Sequence, residues 1–154
     1  MVRLVPMGSA DFDPYLDRLI RSYAEEHIRS GRWTAEEGLA ESRKEVQKLL
    51  PAGPKTPNHF LYTIIGGSPE EKVGVTWLAS EPRGGFVYDL LIFDSFRRRG
   101  YAEEAMRVLE RVAKEKGIRK LSLHVFGDNL GARKLYIKLG YAETNVVMSK
   151  MLAP

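Results

Sequence analysis

The sequence Ile92-Phe93-Asp94-Ser95-Phe96-Arg97-Arg98-Arg99-Gly100-Tyr101-Ala102 lies where a predicted strand meets a predicted helix. Residues 86–93 form a nearly unbroken apolar run, which predicts a central strand covered on both faces. Apolar residues then recur at helical spacing from Ala102 to Ala113, which predicts a helix with one buried face that ends before Gly117. A buried strand therefore turns sharply into a buried helix.

This turn is suited to binding phosphate. The first amide groups of a helix have no partner within it, and the helix dipole places about half a positive charge at that end. Arg97, Arg98 and Arg99 add full charges, while Gly100 and the small Ala102 let a ligand approach the backbone. An arginine run beside a glycine is equally typical of a solvated helix start, so the turn alone leaves both interpretations open.

The helix and strand signals along the whole sequence predict one mixed α/β domain over residues 1–154. Asp13 before Pro14 predicts a helix start, and Thr34-Ala35-Glu36-Glu37 has the spacing of a capping box. The order is β-α-α-β-β-β-α-β-α-β around a mixed sheet. The predicted strands are residues 3–7, 59–66, 72–80, 86–93, 121–126 and 145–152, and the predicted helices are residues 13–30, 34–50, 101–116 and 130–139.

Composition excludes several classes of protein. The chain has 154 residues, of which 44 % are hydrophobic and 29 % are charged, as in one folded domain. It contains no cysteine, which excludes disulfides, zinc-thiolate sites, thiol redox centres and cysteine nucleophiles. Because the sequence shows neither a signal-peptide core nor an apolar run of membrane-spanning length, we expect a cytoplasmic protein without a membrane partner. The net charge of +4 favours anionic partners.

A second motif, Asn129-x-x-Ala132-x-x-Leu135-Tyr136-x-x-x-Gly140-Tyr141, lies downstream of the phosphate turn. Together with Arg97-x-x-Gly100-x-Ala102, it resembles the signatures of the GNAT superfamily of acyl-CoA-dependent N-acyltransferases, with tyrosine for the usual final phenylalanine. A predicted helix and a predicted strand of suitable length separate the two motifs. The predicted element order is also that of the family, and the resemblance runs from Tyr88 to Tyr141.

The resemblance implies acetyl-CoA as acyl donor and a mostly antiparallel sheet with helices on both faces. The strand ending near Phe93 and the strand 121–126 would splay apart, leaving a cleft for the pantetheine arm. Cofactor amides would pair with strand backbone around Leu91 and Ile92, as an added strand does. Backbone amides of Arg98, Arg99, Gly100, Tyr101 and Ala102 would hold the pyrophosphate, side chains of Arg97, Arg98 and Arg99 would extend towards the adenosine phosphates, and Asn129 would contact the cofactor from the facing helix.

Two residues depart from the family pattern. Asp94 stands where the family often has proline, and Glu103 stands in the first helical turn, where lysine or a small polar residue is common. A carboxylate beside a pyrophosphate weakens its binding. We therefore expect Glu103 to face solvent or to pair with Arg107 one turn along the helix.

Acetyl transfer to a primary amine needs a base, because an amine with a pKa of about 10.4 is mostly protonated at neutral pH. Asp89 on the predicted central strand is the best-placed base, and His124 or a water chain is the alternative. In the family pattern Tyr136 reaches the thioester sulfur, where we expect it to donate a hydrogen bond to the developing thiolate. The amine would attack directly through a tetrahedral intermediate, and no metal is expected.

The acceptor is expected to be a small-molecule or peptide amine. Carboxylates and aromatic faces both attract ammonium groups, and the first two helices supply such residues. The glutamates among them are equally explained as exposed helix charges, and the kind of amine stays open. The candidate lining residues are Tyr23, Glu25, Glu26, His27 and Trp33.

Two other classes of function compete with catalysis. A catalytically silent acyl-CoA sensor would share the fold and the cofactor pocket. Nucleic-acid binding through residues 97–99, Arg107 and Arg111 is disfavoured, because neighbouring glutamates dilute the charge and no groove-reading motif is present. We therefore expect no nucleic-acid partner. A sheet edge at the C-terminal strand would allow a homodimer.

Overall fold

The computed structural model describes residues 1–154 as five strands and four helices. The chain divides into two compact units, residues 1–124 and residues 125–154. The single domain predicted over residues 1–154 stays a prediction. No helix is both long and apolar enough to cross a membrane. The elements are β1 (Arg3–Pro6), α1 (Ser9–Arg29), α2 (Gly38–Leu49), β2 (His59–Gly66), β3 (Glu71–Glu81), β4 (Gly84–Ile92), α3 (Tyr101–Glu115), β5 (Leu121–Leu123) and α4 (Leu130–Lys138).

One sheet in the first unit contains all five strands, in the order β1-β2-β3-β4-β5. Strands β1 to β4 are antiparallel to their neighbours. β5 is parallel to β4, because α3 carries the chain back along the sheet before β5 begins. The predicted mixed, mostly antiparallel sheet is confirmed.

Helices pack against both faces of this sheet. On one face, Ile20 of α1 and Val46 of α2 belong to a buried cluster with Trp77 of β3, which is 2 % exposed. On the other face, Ala105 of α3 is buried with Ile64 of β2. Burying a large apolar side chain stabilises a fold by roughly 1.5–3 kcal/mol, so these two layers hold the sheet between them.

A β-bulge in β4 changes which face its side chains reach. Trp77 pairs with Asp89 and the next residue of β3, Leu78, pairs with Val87, so Tyr88 is the extra residue. A bulge interrupts the alternation of side chains between the two faces. Tyr88 and Asp89 therefore both contact residues of the face covered by α1 and α2, although they are consecutive.

The first helix begins earlier than predicted. Gly8, and not Asp13, is its N-cap, and Pro14 lies inside the helix. The proline is tolerated because its φ is helical and the one hydrogen bond it forgoes lies near the helix end. The two hydrogen bonds of the predicted capping box form, since the Thr34 amide donates to Glu37 Oε1 at 2.9 Å and the Glu37 amide donates to Thr34 Oγ1 at 3.3 Å. They close a turn before the helix, because the N-cap of α2 is Glu37 and not Thr34 as predicted.

The predicted central position of the strand 86–93 is wrong. β3 is the middle strand of the sheet, and its residues 73–79 are all buried. Much of β4 is only half-buried. The reason is that β5 pairs with β4 over residues 85–87 alone, so the rest of β4 has a strand on one side only.

The predicted last strand, residues 145–152, is also wrong. Residues 139–154 form no helix or strand, and β5 ends at Leu123 instead of Phe126. Val147, Met148 and Met151 are 93, 89 and 94 % exposed. A strand needs a neighbouring backbone to complete its hydrogen bonds, and no strand of the chain pairs with this segment.

Candidate active site

The outer edge of β4 is open where the bulge begins. β5 pairs with residues 85–87 and then ends, so no strand pairs with the outer edge over residues 88–92. The predicted splaying of these strands is confirmed in the pairing pattern. Leu91 and Ile92 lie on this open length, and β3 lies on their other side. β3 comes so close there that a Cβ at Gly74 would collide with the Leu91 carbonyl oxygen.

The loop between β4 and α3 has an unusual backbone. Arg98 has a φ of 63°, which is uncommon for a residue with a side chain, and Gly100 has a φ of 81°. Changes in the sign of φ along a loop turn neighbouring amides towards one side, as in anion-binding nests. No side chain caps the N-terminus of α3, and a Cβ at Gly100 would meet no atom within 4 Å. The glycine is therefore required by its backbone angle, and the space beside it is open.

Two of the three loop arginines contact the loop itself. Arg97 Nε donates to the Ile92 carbonyl oxygen at 3.1 Å, and its guanidinium lies 3.1 Å from the Asp94 carboxylate. The guanidinium of Arg99 lies 5.7 Å from the centroid of the Phe96 ring. The Arg97 side chain thus folds back along the loop.

The predicted ion pair between Glu103 and Arg107 is confirmed, with 3.8 Å between their charged groups. Arg107 draws the carboxylate along α3 and away from the helix start, as helical neighbours four residues apart can do. The departure of Glu103 from the family pattern is therefore compatible with anion binding at the loop.

Asp89 is a half-buried carboxylate held by a hydrogen bond from α1. The Tyr15 hydroxyl donates to Asp89 Oδ2 at 2.9 Å, and Thr76 Oγ1 donates to the Asp89 carbonyl oxygen at 2.8 Å. Burial raises the pKa of the Asp89 carboxyl to about 6. The Tyr15 hydroxyl, the Leu90 amide and Arg18 lower this pKa but do not cancel the effect of burial. Asp89 therefore exchanges a proton near neutral pH, where a general base is most effective.

Tyr15 is a residue that the sequence analysis missed. Its side chain is buried, and burial together with Asp89 raises the pKa of its hydroxyl well above the usual value. It therefore remains a hydrogen-bond donor at neutral pH. No local spacing links it to Asp89, because the two residues are brought together only when α1 packs on the sheet.

Aromatic residues of α1 and the following loop form a cluster, as the predicted acceptor lining requires. The ring centroids of Tyr23 and His27 are 4.3 Å apart, and those of His27 and Trp33 are 4.8 Å apart. Burial and the Arg32 charge lower the pKa of His27, which keeps the ring neutral at neutral pH. Of the predicted acidic residues, Glu25 is exposed and Glu26 is half-buried.

A carboxylate of α2 joins this cluster and was missed from the sequence. The Tyr23 hydroxyl donates to Glu45 Oε2 at 2.9 Å, and Arg32 forms an ion pair with the same carboxylate. Burial alone would raise the pKa of Glu45, but the hydrogen bonds from Arg32 and Tyr23 lower it. Glu45 is therefore negatively charged at neutral pH. His124, the alternative base, is exposed and close enough to His27 to influence its pKa.

A second aromatic group lies on the sheet next to Asp89. Tyr88 stacks on Trp77 with 4.5 Å between ring centroids, and Phe86 lies 4.7 Å from Tyr88. The Tyr88 hydroxyl donates to Glu81 Oε1 at 3.0 Å, and burial together with this carboxylate raises the pKa of Tyr88 to about 12. The alternation of Phe86 and Tyr88 in the sequence was the available signal for this aromatic face.

Asn129 and Tyr136 belong to the second unit. Asn129 is the N-cap of α4, and its Oδ1 accepts a hydrogen bond from the Ala132 amide at 3.2 Å. Tyr136 is half-buried, with its ring centroid 5.9 Å from that of Tyr141. The second sequence motif thus begins with a helix cap and contains an aromatic pair. No group of three or more His, Cys, Asp or Glu residues could hold a metal ion.

The chain is similar to known acetyltransferases over most of its length. The profile of the Acetyltransferase (GNAT) family matches residues 17–141. YycN of Bacillus subtilis (strain 168), named an uncharacterized N-acetyltransferase, is 40 % identical over 98 % of this chain and 99 % of its own. The crystal structure of YycN superposes with a TM-score of 0.94 at 39 % identity and covers 100 % of both chains.

A more distant structure shares the fold. It is the PaiA N-acetyltransferase of Thermoplasma acidophilum in complex with coenzyme A, with a TM-score of 0.68 and 12 % identity over 96 % of this chain and 93 % of that one. The open edge of β4, the loop before α3 and these similarities all indicate the same family. The chain belongs to the GNAT family and is an acetyltransferase.

Proposed function

We propose that the protein transfers the acetyl group of acetyl-CoA to a primary amine, which attacks the thioester directly. The observation that carries this proposal lies on β4, where the unpaired strand edge, residues 88–92, includes a carboxylate with a pKa of about 6. The edge provides a place for the donor, and the carboxylate provides a base for the acceptor. Family membership supports acetyl transfer, and the coenzyme A complex of PaiA supports the donor.

The loop before α3 and the open edge of β4 would hold the cofactor. Backbone amides of residues 98–102 bind the pyrophosphate at the start of α3, where the helix dipole favours an anion. The pantetheine amides pair with the backbone of Leu91 and Ile92 as an added strand would. Asn129 contacts the cofactor through its side-chain amide nitrogen, because its Oδ1 caps α4. The charges of Arg98 and Arg99 add to the attraction for phosphate, whereas Asp94 balances much of the charge of Arg97.

Asp89 would act as the base after the amine has attacked. Direct proton transfer from a free ammonium with a pKa of about 10.4 to a carboxylate with a pKa of about 6 is uphill by roughly 6 kcal/mol. The ammonium therefore loses its first proton to water, and the small neutral fraction of the amine attacks the thioester. The nitrogen becomes far more acidic once its lone pair has formed the C–N bond, so its second proton passes from the tetrahedral intermediate to Asp89. Tyr15 keeps the Asp89 carboxylate oriented during this step. A backbone amide of Leu91 or Ile92 stabilises the oxyanion.

Tyr136 would assist the leaving thiolate. A phenol with a pKa of about 10 does not protonate a thiolate whose conjugate acid has a pKa of about 8.5, because this transfer is uphill by about 2 kcal/mol. A hydrogen bond from the Tyr136 hydroxyl is sufficient to stabilise the charge on sulfur as the C–S bond breaks. The thiolate then leaves as coenzyme A and takes its proton from water.

The acceptor would bind at the aromatic cluster of the first two helices. Tyr23 and His27 present ring surfaces that attract an ammonium group, whereas the Arg32 guanidinium already lies 4.7 Å from the Trp33 ring centroid and pairs with Glu45. Because His27 is neutral and Arg32 balances the charge of Glu45, no net positive charge opposes a cation at these two rings. These features select a positively charged amine, whether a small molecule or a peptide.

The test is release of free coenzyme A from acetyl-CoA in the presence of a panel of amines, comprising peptides, polyamines, amino acids and aminoglycosides. We expect thiol release that depends on one class of amine and produces a matching acetylated product. Binding of acetyl-CoA without turnover on any amine would instead identify the catalytically silent sensor. Calorimetric titration with coenzyme A provides the binding measurement that separates these outcomes.

A further inference from the structure

The aromatic side chains of the sheet next to Asp89 have no part in the proposed function. Trp77 of β3 and Tyr88 of β4 stack with 4.5 Å between ring centroids, and His59 of β2 lies 5.7 Å from Trp77 and 5.9 Å from Tyr88. The Phe86 ring lies 4.7 Å from that of Tyr88. These four rings form one aromatic surface on the face of the sheet that α1 and α2 cover.

Glu81, the last residue of β3, lies beside this aromatic surface. The Tyr88 hydroxyl donates to Glu81 Oε1 at 3.0 Å, which holds the carboxylate against the rings. Burial, this hydrogen bond and the charge of Glu81 raise the pKa of Tyr88 to about 12, so the hydroxyl remains a donor at neutral pH. Glu81 itself is exposed. A ligand can therefore reach a carboxylate whose orientation is already fixed.

The carboxylate of Glu81 has no cation as a partner. No lysine, arginine or histidine side chain forms an ion pair with it, although Arg83 is close by in the same hairpin. His59 does not balance the charge either, because burial lowers the pKa of His59 more than Glu81 raises it. The Nδ1 atom of His59 is also occupied, since it accepts a hydrogen bond from Trp77 Nε1 at 3.0 Å. Glu81 therefore supplies an uncompensated negative charge to the aromatic surface.

The aromatic surface of the sheet lies near the aromatic cluster of the first two helices. Tyr23 of α1 is close enough to Tyr88 to raise the pKa of the Tyr88 hydroxyl. In the helical cluster Arg32 already balances the charge of Glu45. Glu81 is therefore the better anion for a cationic part of the acceptor, and the surrounding rings add to the attraction for an ammonium group.

The spacing between Glu81 and Asp89 suits two cationic groups of one acceptor. Trp77 pairs with Asp89, and Glu81 lies four residues further along β3. At about 3.4 Å for each residue of a strand, the two backbone positions are about 14 Å apart along the sheet. Glu81 is not among the groups that shift the pKa of Asp89, which agrees with well-separated carboxylates. A flexible chain with an amine at each end can span them.

We propose that Glu81 determines acceptor specificity by binding a second cationic group of an acceptor whose first amine reacts beside Asp89. Resting on the proposed function, this role narrows the acceptor to a diamine or to another amine with a positive charge at the far end of a flexible chain. Tyr88 is a positioning residue, because its hydroxyl holds the Glu81 carboxylate.

Acetylation of two amines of equal length tests this role. Hexamethylenediamine has an amine at each end and hexylamine has one, so they differ in the second charge. After correction for the two equivalent amines of the diamine, we expect a kcat/KM about five- to tenfold higher for the diamine. Glu81→Gln should lower this ratio to about one, whereas Glu71→Gln, which removes an exposed carboxylate at the other end of β3, should not change it. The same ratio in the wild type and Glu81→Gln would overturn the proposal.

Charge reversal provides a test in which an activity is gained. Aminocaproate carries a carboxylate at the end of the chain where hexamethylenediamine carries its second amine. Glu81→Lys should therefore prefer aminocaproate to hexamethylenediamine, and the wild type should show the opposite order. The same order of the two acceptors in both proteins would contradict an electrostatic role for Glu81.

Tyr88→Phe tests the positioning role. The substitution keeps the ring but removes the hydrogen bond to Glu81. The preference for hexamethylenediamine over hexylamine should fall by about two- to threefold, through KM for the diamine and not through kcat. A rise of KM by the same factor for both amines would indicate a general disturbance of the aromatic surface and would refute the positioning role.

Calorimetry supplies a readout that does not depend on turnover. With coenzyme A present, the wild type should bind hexamethylenediamine more tightly than hexylamine, and Glu81→Gln should bind both equally. Equal affinities in the wild type would overturn the proposal. Equally efficient acetylation of both amines would refute the role of Glu81 and leave the proposed function standing. Tight binding of the diamine through Glu81 without acetylation of any amine would refute the proposed function alone.

Discussion

Replacing Asp89 with asparagine should stabilise the folded protein at neutral pH while removing most of its activity. The carboxylate is half-buried beside Tyr15, and its pKa of about 6 compares with an ordinary value of 3.8. Asparagine has nearly the same shape and can still accept the Tyr15 hydrogen bond, but it carries no charge. The substitution therefore removes the charge from a site that penalises it.

The size and sign of the effect follow from the two pKa values. The difference between about 6 and 3.8 corresponds to about 3 kcal/mol at 1.36 kcal/mol for each pH unit. The folded state binds the proton more tightly than the unfolded state does. As pH rises from about 4 to about 6, the unfolded state loses its proton first, so the free energy of unfolding of the wild type falls by about this amount. The free energy of unfolding of Asp89→Asn should not show this decline, because asparagine does not titrate.

Urea unfolding followed by tryptophan fluorescence measures the effect, because Trp77 is buried in the same cluster as Tyr15. The stability advantage of Asp89→Asn over the wild type should grow by about 3 kcal/mol between pH 3.5 and pH 7.5. Asp17→Asn removes an exposed carboxylate of α1 and is the control, for which no such growth is expected. Parallel pH curves for the wild type and Asp89→Asn would refute the argument that burial of Asp89 raises its pKa.

Three further outcomes test the site. Tyr136→Phe should lower kcat by about 10- to 100-fold with little change in KM for acetyl-CoA. Tyr141→Phe is the control and should leave kcat unchanged. If steady-state assays gave the same kcat for Tyr136→Phe and the wild type, Tyr136 would have no role in the reaction. Tyr15→Phe deletes a hydrogen bond that lowers the pKa of Asp89, so the acidic limb of kcat/KM should move to higher pH, and an unchanged profile would place the base elsewhere. Gly100→Ala should cost about 1 kcal/mol of stability because φ is 81° there, and calorimetry should also show weaker coenzyme A binding. Gly31→Ala has a similar φ of 85° and open space around it, so it should lose stability without losing binding; the same loss of binding in both variants would contradict a role for the loop.

Local sequence signals predicted the elements whose causes are themselves local. Residues 59–66 form a strand with the predicted bounds, and α3 begins at Tyr101 as the glycine before it indicates. The Thr34 capping box formed because both of its hydrogen bonds lie within one turn. In each case a few neighbouring side chains determine the conformation.

Contacts between distant segments were not predictable in this way. The Tyr15 hydrogen bond to Asp89 depends on how α1 packs on β4, and the Glu45 contact with Tyr23 depends on the packing of α1 against α2. The bulge at Tyr88 was not predictable either, because the apolar run of residues 86–93 is typical of a continuous strand. The apolar pattern of residues 145–152 is typical of a strand, but no strand forms there, because strand formation depends on a neighbouring backbone that the pattern does not reveal.

The bulge in β4 also bears on how this chain tolerates a change in its length. Because Tyr88 is the extra residue opposite Trp77, β4 places the Tyr88 ring and the Asp89 carboxylate side by side on the same face of the sheet. Deleting one residue here would restore regular alternation and rotate one of the two side chains towards the opposite layer. Most single-residue deletions in surface loops are absorbed locally. This one would move a side chain of β4 from the face covered by α1 and α2 to the face covered by α3. The number of residues between Val87 and Leu90 is therefore constrained by the geometry of the strand, as the identity of Asp89 is by its chemistry.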